Sequence, residues 1–157
     1  MPFDRLVRAV DSWAEATGQR DIFAQIGDAE YTPRSIEHKG FIEPPEFRDL
    51  VSRADLIVAH AGMGSILTAL SAAKPIVIMP RRGAFRETRN DHQVATAEKL
   101  RGRPGIVVAM DEHEVAVKLD EARSVGRLEP IAPYASDRLI ERIRGVVVGG
   151  GGEGDSS

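Results

Sequence analysis

The chain contains no cysteine, few aromatic residues and no long apolar run, and each shortage narrows the classes of protein to which it can belong. Without cysteine there is neither a disulfide framework nor a thiolate metal site. No stretch approaches the ~20 apolar residues of a membrane span, and Asp4, Arg5 and Arg8 interrupt any signal-like segment near the N-terminus. A formal net charge of −3 gives no basis for binding nucleic acid. A cytoplasmic, single-domain protein of 157 residues fits these absences.

Apolar runs and turn residues predict strands and helices that alternate along the chain. Strands are predicted over residues 21–27, 38–42, 56–59, 76–79 and 105–109, and helices over 3–17, 46–53, 91–100, 112–123 and 136–144. A further helix is predicted to open at Ser65, and Asp111 is the expected N-cap of the helix over 112–123. Because strands separated by helices pair in parallel, this order predicts a doubly wound α/β domain. Ligands of such domains bind beyond the carboxyl ends of the strands.

We expect this domain to span residues 1–145 and the glycine-rich stretch 146–157 to be a disordered tail. A doubly wound domain usually opens with a strand, whereas this chain begins directly with a predicted helix. We therefore expect the first strand of the domain to be missing.

The most informative segment is His60-Ala61-Gly62-Met63-Gly64, which follows the apolar run 56–59 and precedes Ser65. One interpretation is a diphosphate cradle, formed by backbone N–H groups near Gly62, Gly64 and Ser65 with the Ser65 hydroxyl as a further donor. The alternative is a tight strand-to-helix turn that only needs glycines at positive φ. The spacing excludes the dinucleotide fingerprint, the P-loop and the nucleophile elbow.

Polar side chains near two predicted strand ends are candidates for the same site. His60 could contact a phosphate or sugar hydroxyl, or it could hold the turn through a backbone carbonyl. Asn90 or Asp91 is a natural N-cap of the helix that follows, and Gln93 could bond a sugar hydroxyl. The loop before this helix carries four arginines that either pair with phosphates or form a solvated cluster: Arg81, Arg82, Arg86 and Arg89. The four histidines are far apart and no Asp-x-Asp pair occurs, so we expect no metal site.

The segment ADLIVAHAGMGSILTALSAAKPIVIMP, together with the later NDHQ, closely resembles the C-terminal, donor-binding domain of glycosyltransferase family 28. The resemblance covers roughly residues 2–125 and is strongest to small single-domain members. It implies a Rossmann-like C-terminal half of a GT-B glycosyltransferase, with a separate membrane-anchored subunit binding the acceptor. The implied reaction is metal-independent, needs no cofactor, and transfers a hexosyl group from a UDP-sugar to a lipid-linked sugar in polysaccharide or glycolipid synthesis. Such a subunit would be cytoplasmic and peripheral to the membrane through its partner.

The resemblance also assigns residues. Gly62, Gly64 and Ser65 would meet the diphosphate and His60 would line the same pocket. The residues that would approach the donor sugar are Asn90, Asp91, His92 and Gln93.

Two departures from the family pattern stand out. Thr68 occupies the position at which relatives usually carry a ribose-binding glutamate, and the usual first strand with its glycine-containing loop is absent. Both favour an alternative, a non-catalytic nucleotide-sugar-binding or regulatory subunit. Near the C-terminus, Ile140, Ile143 and Val146–Val148 either form a docking surface or pack a terminal helix on its own domain.

Overall fold

The computed structural model describes residues 3–125, in which helices and short strands follow one another in the predicted order. The helices are α1 (Asp4–Thr17), α2 (Pro44–Arg53), α3 (Met63–Ser71), α4 (His92–Leu100) and α5 (Val115–Val125). The strands are β1 (Phe23–Gln25), β2 (Glu37–Lys39), β3 (Ile57–His60), β4 (Ile76–Met79) and β5 (Ile106–Val108), and a 3₁₀ turn spans Gly83–Phe85. The predicted helix over 136–144, the glycine-rich tail and the candidate docking residues lie outside the described residues.

Several predicted boundaries were wrong, for local reasons. Helix α3 begins at Met63 rather than Ser65, because Gly62 takes the N-cap position with extended backbone angles (φ −96°, ψ 143°). Helix α5 begins at Val115 rather than at residue 112, because the preceding residues form a turn of their own. In that turn the Asp111 carboxylate accepts the His113 amide at 2.9 Å.

Strand β4 is the centre of the fold. All four of its residues are buried, and it pairs in parallel with β3 on one side and β5 on the other. Ile76 and Ile78 pack into one apolar cluster with residues of α3 and α4, whereas Val77 and Met79 pack into a second cluster with residues of α1 and α5. Alternate side chains of a strand point to opposite faces. The sheet is therefore covered by helices on both faces, as a doubly wound domain requires.

The described strands form two sheets that share one core. Strand β1 pairs in parallel with β2, and β3, β4 and β5 form the second sheet in that order. Ala24 of β1 and Val58 of β3 nevertheless pack against the same apolar cluster, to which α1 contributes Leu6, Val10 and Trp13. Helix α1 therefore spans both sheets and joins them through side-chain packing.

A buried carboxylate fixes the loop between β1 and β2. Asp11 of α1 is only 4% exposed and accepts hydrogen bonds from the Tyr31 hydroxyl and from the Arg34 and Ser35 amides. Burial works to raise the pKa of the Asp11 carboxyl, but the bonds from Tyr31, Ser35 and Arg34 outweigh it, and the pKa lies below its ordinary value. The ionised carboxylate therefore stabilises the folded chain.

Replacing Asp11 with alanine is expected to lower the free energy of unfolding by about 2–4 kcal/mol at neutral pH, because the Tyr31 hydroxyl and two backbone amides lose their acceptor. Urea denaturation measures the change. The exposed Glu15 on the same helix provides the control, and Glu15→Ala should change stability by less than about 0.5 kcal/mol. Because the folded pKa is lowered, the Asp11 contribution is full above the ordinary aspartate value of about 3.9 and is lost as pH falls below it. Equal losses in both variants would contradict this role.

Candidate functional site

The chain turns sharply between the end of β3 and the start of α3, and this turn exposes backbone donors. The first bond inside the helix runs from the Ile66 amide to the Gly62 carbonyl at 3.1 Å. The amides of Met63, Gly64 and Ser65 precede it, and no side chain in the described part of the chain caps this helix end. Free amides at the positive end of a helix dipole attract anions. The geometry is therefore that of an anion cradle.

The two glycines of this turn have different reasons to be glycine. Neither has positive φ, so the alternative explanation of a turn that requires it was wrong. At Gly62, an added Cβ would lie 2.1 Å from Cε1 of His60, so the histidine ring itself requires glycine there. At Gly64, an added Cβ would meet nothing within 4 Å. An exposed helical glycine costs about 0.5–1 kcal/mol relative to alanine, and the fold offers no compensation at Gly64. Close approach of a ligand would explain it.

His60 packs its ring over the turn as a neutral imidazole. Its Nδ1 atom is buried and has no hydrogen-bond partner in the described structure. Burial and, to a smaller extent, the nearby positive charge of Arg81 lower the pKa of His60 to about 4, although a hydrogen bond with Gln93 works in the opposite direction. The ring is therefore uncharged at neutral pH. It can offer hydrogen bonds to a ligand, but it is a weak general base.

Arg81 and Gln93 connect the end of β4 to the same turn. The Arg81 amide donates to Oε1 of Gln93 at 3.0 Å, and the Gln93 side chain also contacts His60. The Arg81 guanidinium donates to the Glu87 carbonyl at 3.3 Å and lies 5.2 Å from the centre of the Phe3 ring. These contacts hold a cation close to His60. The site thus combines the helix dipole of α3 with one arginine charge.

The residues before α4 are tied to their own loop. Oδ1 of Asn90 accepts the His92 amide at 2.9 Å, so Asn90 supplies the predicted cap of the first helical residue. Asp91 occupies the N-cap position, yet its carboxylate accepts the Gly83 amide at 2.9 Å instead. The approach of Asn90, Asp91, His92 and Gln93 to a donor sugar stays a prediction.

The four loop arginines do not act as one group. The Arg82 guanidinium donates to the Met110 carbonyl at 3.0 Å, and Arg81 is bound as described above. Arg86 and Arg89 are exposed.

On α3, the Thr68 hydroxyl donates to the Gly64 carbonyl at 2.9 Å, so Thr68 lies one turn from the cradle on the face that carries Gly64.

Glu87 and Arg5, which have no predicted role, organise this loop. Glu87 is only 5% exposed, and Arg5 of α1 reaches it across 82 residues of sequence. The signal in the sequence is that Glu87 is the one acidic residue in the basic stretch 80–90. Its partner could not be read from the sequence, because nothing local connects the two.

Residues 3–125 contain no group of three or more histidine, aspartate or glutamate side chains placed to hold a metal ion. Within the same range, no helix combines the length and apolar character needed to cross a bilayer.

Known proteins that resemble this chain in sequence or in structure show which family it belongs to. The model of the glycosyltransferase family 28 C-terminal domain matches residues 1–125. The chain belongs to this family. A family relative, the UDP-N-acetylglucosamine transferase subunit ALG13 of Cryptococcus neoformans var. neoformans serotype D, is 31% identical over 64% of this chain and 46% of its own length. The human protein of the same name is 28% identical over 62% of this chain and 9% of its own length. The chain thus spans about half the length of the fungal relative (46%) and 9% of the length of the human one.

A solved structure, titled as the glycotransferase of kitacinnamycin, matches with a TM-score of 0.57 at 22% identity. The match covers 88% of this chain and 34% of that chain. It shows that the two chains share a fold. The predicted class, a doubly wound parallel α/β domain of the kind found in the C-terminal half of GT-B glycosyltransferases, is confirmed.

The partly buried His60 should stay neutral until the pH is well below its ordinary titration range. An NMR titration is expected to show the His60 ring signals changing only near pH 4, rather than near 6.5. Because the folded pKa is lowered, the unfolded chain takes up the proton first, and stability falls as pH drops from 6.5 toward 4. His60→Gln should remove this part of the pH dependence, whereas the same change at the exposed His113 should not. Titration of His60 near 6.5 would contradict the partly buried, neutral ring.

Proposed function

We propose that this chain is the donor-binding subunit of a glycosyltransferase that uses a UDP-sugar. The observation that carries the proposal is the uncapped start of α3, where the amides of Met63, Gly64 and Ser65 open onto free space at Gly64. The nearby Arg81 charge adds to the attraction for a diphosphate. Membership of family 28 and the names of the relatives support the same ligand class.

The same features suit the chemistry of sugar transfer. An acceptor hydroxyl attacks the anomeric carbon and passes its proton to a base on the acceptor side, while the bond between that carbon and the UDP oxygen breaks and UDP leaves with the electron pair. Negative charge therefore grows on the departing diphosphate. Fixed amides at a helix N-terminus stabilise such charge without reorganising. In this proposal, the α3 amides and Arg81 fill the role that a metal ion plays in other sugar transferases.

A partner subunit completes the proposal. The relatives are named as transferase subunits, which supports assembly of this chain with another protein. We expect that protein to be membrane-anchored and to bind a lipid-linked sugar acceptor for polysaccharide or glycolipid synthesis. This chain would then be cytoplasmic and peripheral to the membrane through its partner. It would transfer a hexosyl group, with no metal and no cofactor.

Thr68 favours a second candidate function, because relatives usually carry a glutamate at this position. In that case the cradle would bind a nucleotide sugar without supporting transfer. A transfer assay that includes the partner subunit distinguishes the two candidates, since both predict binding of UDP and only the first predicts product.

Gly64→Leu is expected to weaken UDP binding by more than about a hundredfold, since each charge-assisted hydrogen bond is worth about 1.5–3 kcal/mol. Side chains on a helix lean toward its N-terminus, so the added group would cover the Met63–Ser65 amides. The free energy of unfolding should change by less than about 1 kcal/mol, because the position is open and helical. Isothermal titration calorimetry with UDP measures the effect, and Ser71→Leu at the exposed far end of α3 is the control. Unchanged affinity in Gly64→Leu would refute the cradle.

Thr68→Glu is expected to tighten UDP binding about three- to tenfold, because a carboxylate one turn from the cradle can accept hydrogen bonds from the ribose hydroxyls. The gain should vanish with 2′,3′-dideoxy-UDP, which lacks both hydroxyls. Thr68→Gln has a similar length without the charge and should gain less. If UDP and the dideoxy nucleotide respond alike, the ribose is held elsewhere.

A further inference from the structure

Glu87 and Arg5 form a buried ion pair beside the proposed donor site. The Arg5 guanidinium grips the Glu87 carboxylate with two bonds, Nε to Oε2 at 2.7 Å and Nη2 to Oε1 at 2.8 Å. The exposed fractions of the two side chains are 16% and 7%. Two parallel bonds to a planar guanidinium fix orientation as well as distance.

We infer that Glu87 and Arg5 are positioning residues of the donor site, whose ion pair holds the loop of residues 80–91 so that Arg81 stays beside His60. The inference rests on the proposed function. It assigns to this pair the placement of the loop cation, and it assigns no contact with the ligand to either residue.

Two bonds connect Glu87 to the backbone and side chains of the loop. Its Oε1 accepts the Arg82 amide at 3.0 Å, which fixes the chain directly after Arg81. Its own carbonyl accepts from Nη1 of Arg81 at 3.3 Å. The guanidinium near His60 is thus anchored on the residue that Arg5 grips. A shift of Glu87 would move both of these bonds at once.

Arg5 extends this anchor to the helices. Its Nη1 donates to the Glu112 carboxylate at 2.6 Å, at the turn that precedes α5, and its guanidinium lies 4.6 Å from the centre of the Phe85 ring. Arg5 therefore contacts the loop at two places, at the buried Glu87 and at Phe85 of the exposed 3₁₀ turn. The hydrogen bonds that Arg5 donates to Glu87 and Glu112 raise the pKa of Arg5 despite its partial burial, so it stays charged.

The energetics favour positioning over simple stabilisation. Removing two charges from water carries a large free-energy cost, and a buried pair often contributes little net stability compared with apolar side chains. Such a pair does define one geometry, because any other arrangement leaves a charge without its partner. The proposed role of Arg81 depends on its position beside the neutral His60 ring and the anion cradle. A loop held in one conformation therefore serves that role better than a small gain in stability would.

Glu87→Gln tests the inference, with Glu112→Gln as the matched control, since each removes one carboxylate from the same arginine. Calorimetric titrations with UDP and with uridine are made on both variants and on the unmodified 157-residue chain. We expect Glu87→Gln to weaken UDP binding at least about tenfold while uridine affinity changes less than about twofold, because only the diphosphate meets Arg81. Glu112→Gln should leave both affinities within about twofold.

Amide hydrogen exchange gives a second measurement that does not depend on UDP. Exchange at Arg82 and Gly83 should accelerate in Glu87→Gln and stay close to the unmodified rate in Glu112→Gln. If Glu87→Gln does not fold, Arg5→Lys replaces it, because lysine keeps the charge and loses the two-bond grip; about a threefold loss of UDP affinity is then expected.

Three results would overturn the inference while leaving the proposed function intact: unchanged UDP affinity in Glu87→Gln, equal losses for UDP and uridine, or equal losses in the two glutamine variants. The second would mean that the pair only holds the fold together. Failure of the unmodified chain to bind UDP would instead overturn the proposed function, and this inference with it.

Discussion

The parallel register of β3 against β4 is the constraint on which the rest of the structure depends. His60 lies opposite Met79, so both strands finish at the same edge and the segments that follow both emerge there. One of them turns at once into α3, while the other forms the long basic loop before α4. Because of this shared edge, the start of α3 and the loop that carries Arg81 lie on the same side of the sheet. Burial of β4 on both faces holds the register, because a shift by one residue would exchange the side chains that face the two helix layers.

The candidate site balances its charges with few groups. Arg81 and the α3 dipole supply positive potential, whereas His60 stays neutral because it is buried beside that cation. Glu87 is negative and close by, and its two-bond pair with Arg5 offsets part of the negative charge that a ligand would meet. A diphosphate would therefore enter a region whose dipoles and cation are already oriented. Such preorganised dipoles and charges lower the barrier to the departure of a charged leaving group, because they do not have to reorient during the reaction.

Much of the fold could be predicted because the signals are local. The apolar run 76–79 has no polar alternation, which is typical of a strand covered on both faces, and Gly62 and Gly64 after the run 56–59 mark the turn. What could not be predicted depends on contacts distant in sequence or on side-chain packing. Arg5 and Glu87 meet across 82 residues, and no local pattern announces such a pair. The sequence does not distinguish the roles of Gly62 and Gly64. In the structure, the His60 ring occupies the space that a Cβ at position 62 would need, whereas the space at position 64 is open. The identification of the site residues by resemblance remains a prediction.

The contact between His60 and Gly62 makes these positions a single packing unit. The imidazole fills the volume that a β-carbon at position 62 would need, so bulk can be shifted from one position to the other but not added to both. A combinatorial library that diversified this turn would keep its fold only in members where a gain at 62 is matched by a reduction at 60. Evolution of a new ligand preference at the turn would face the same coupled choice.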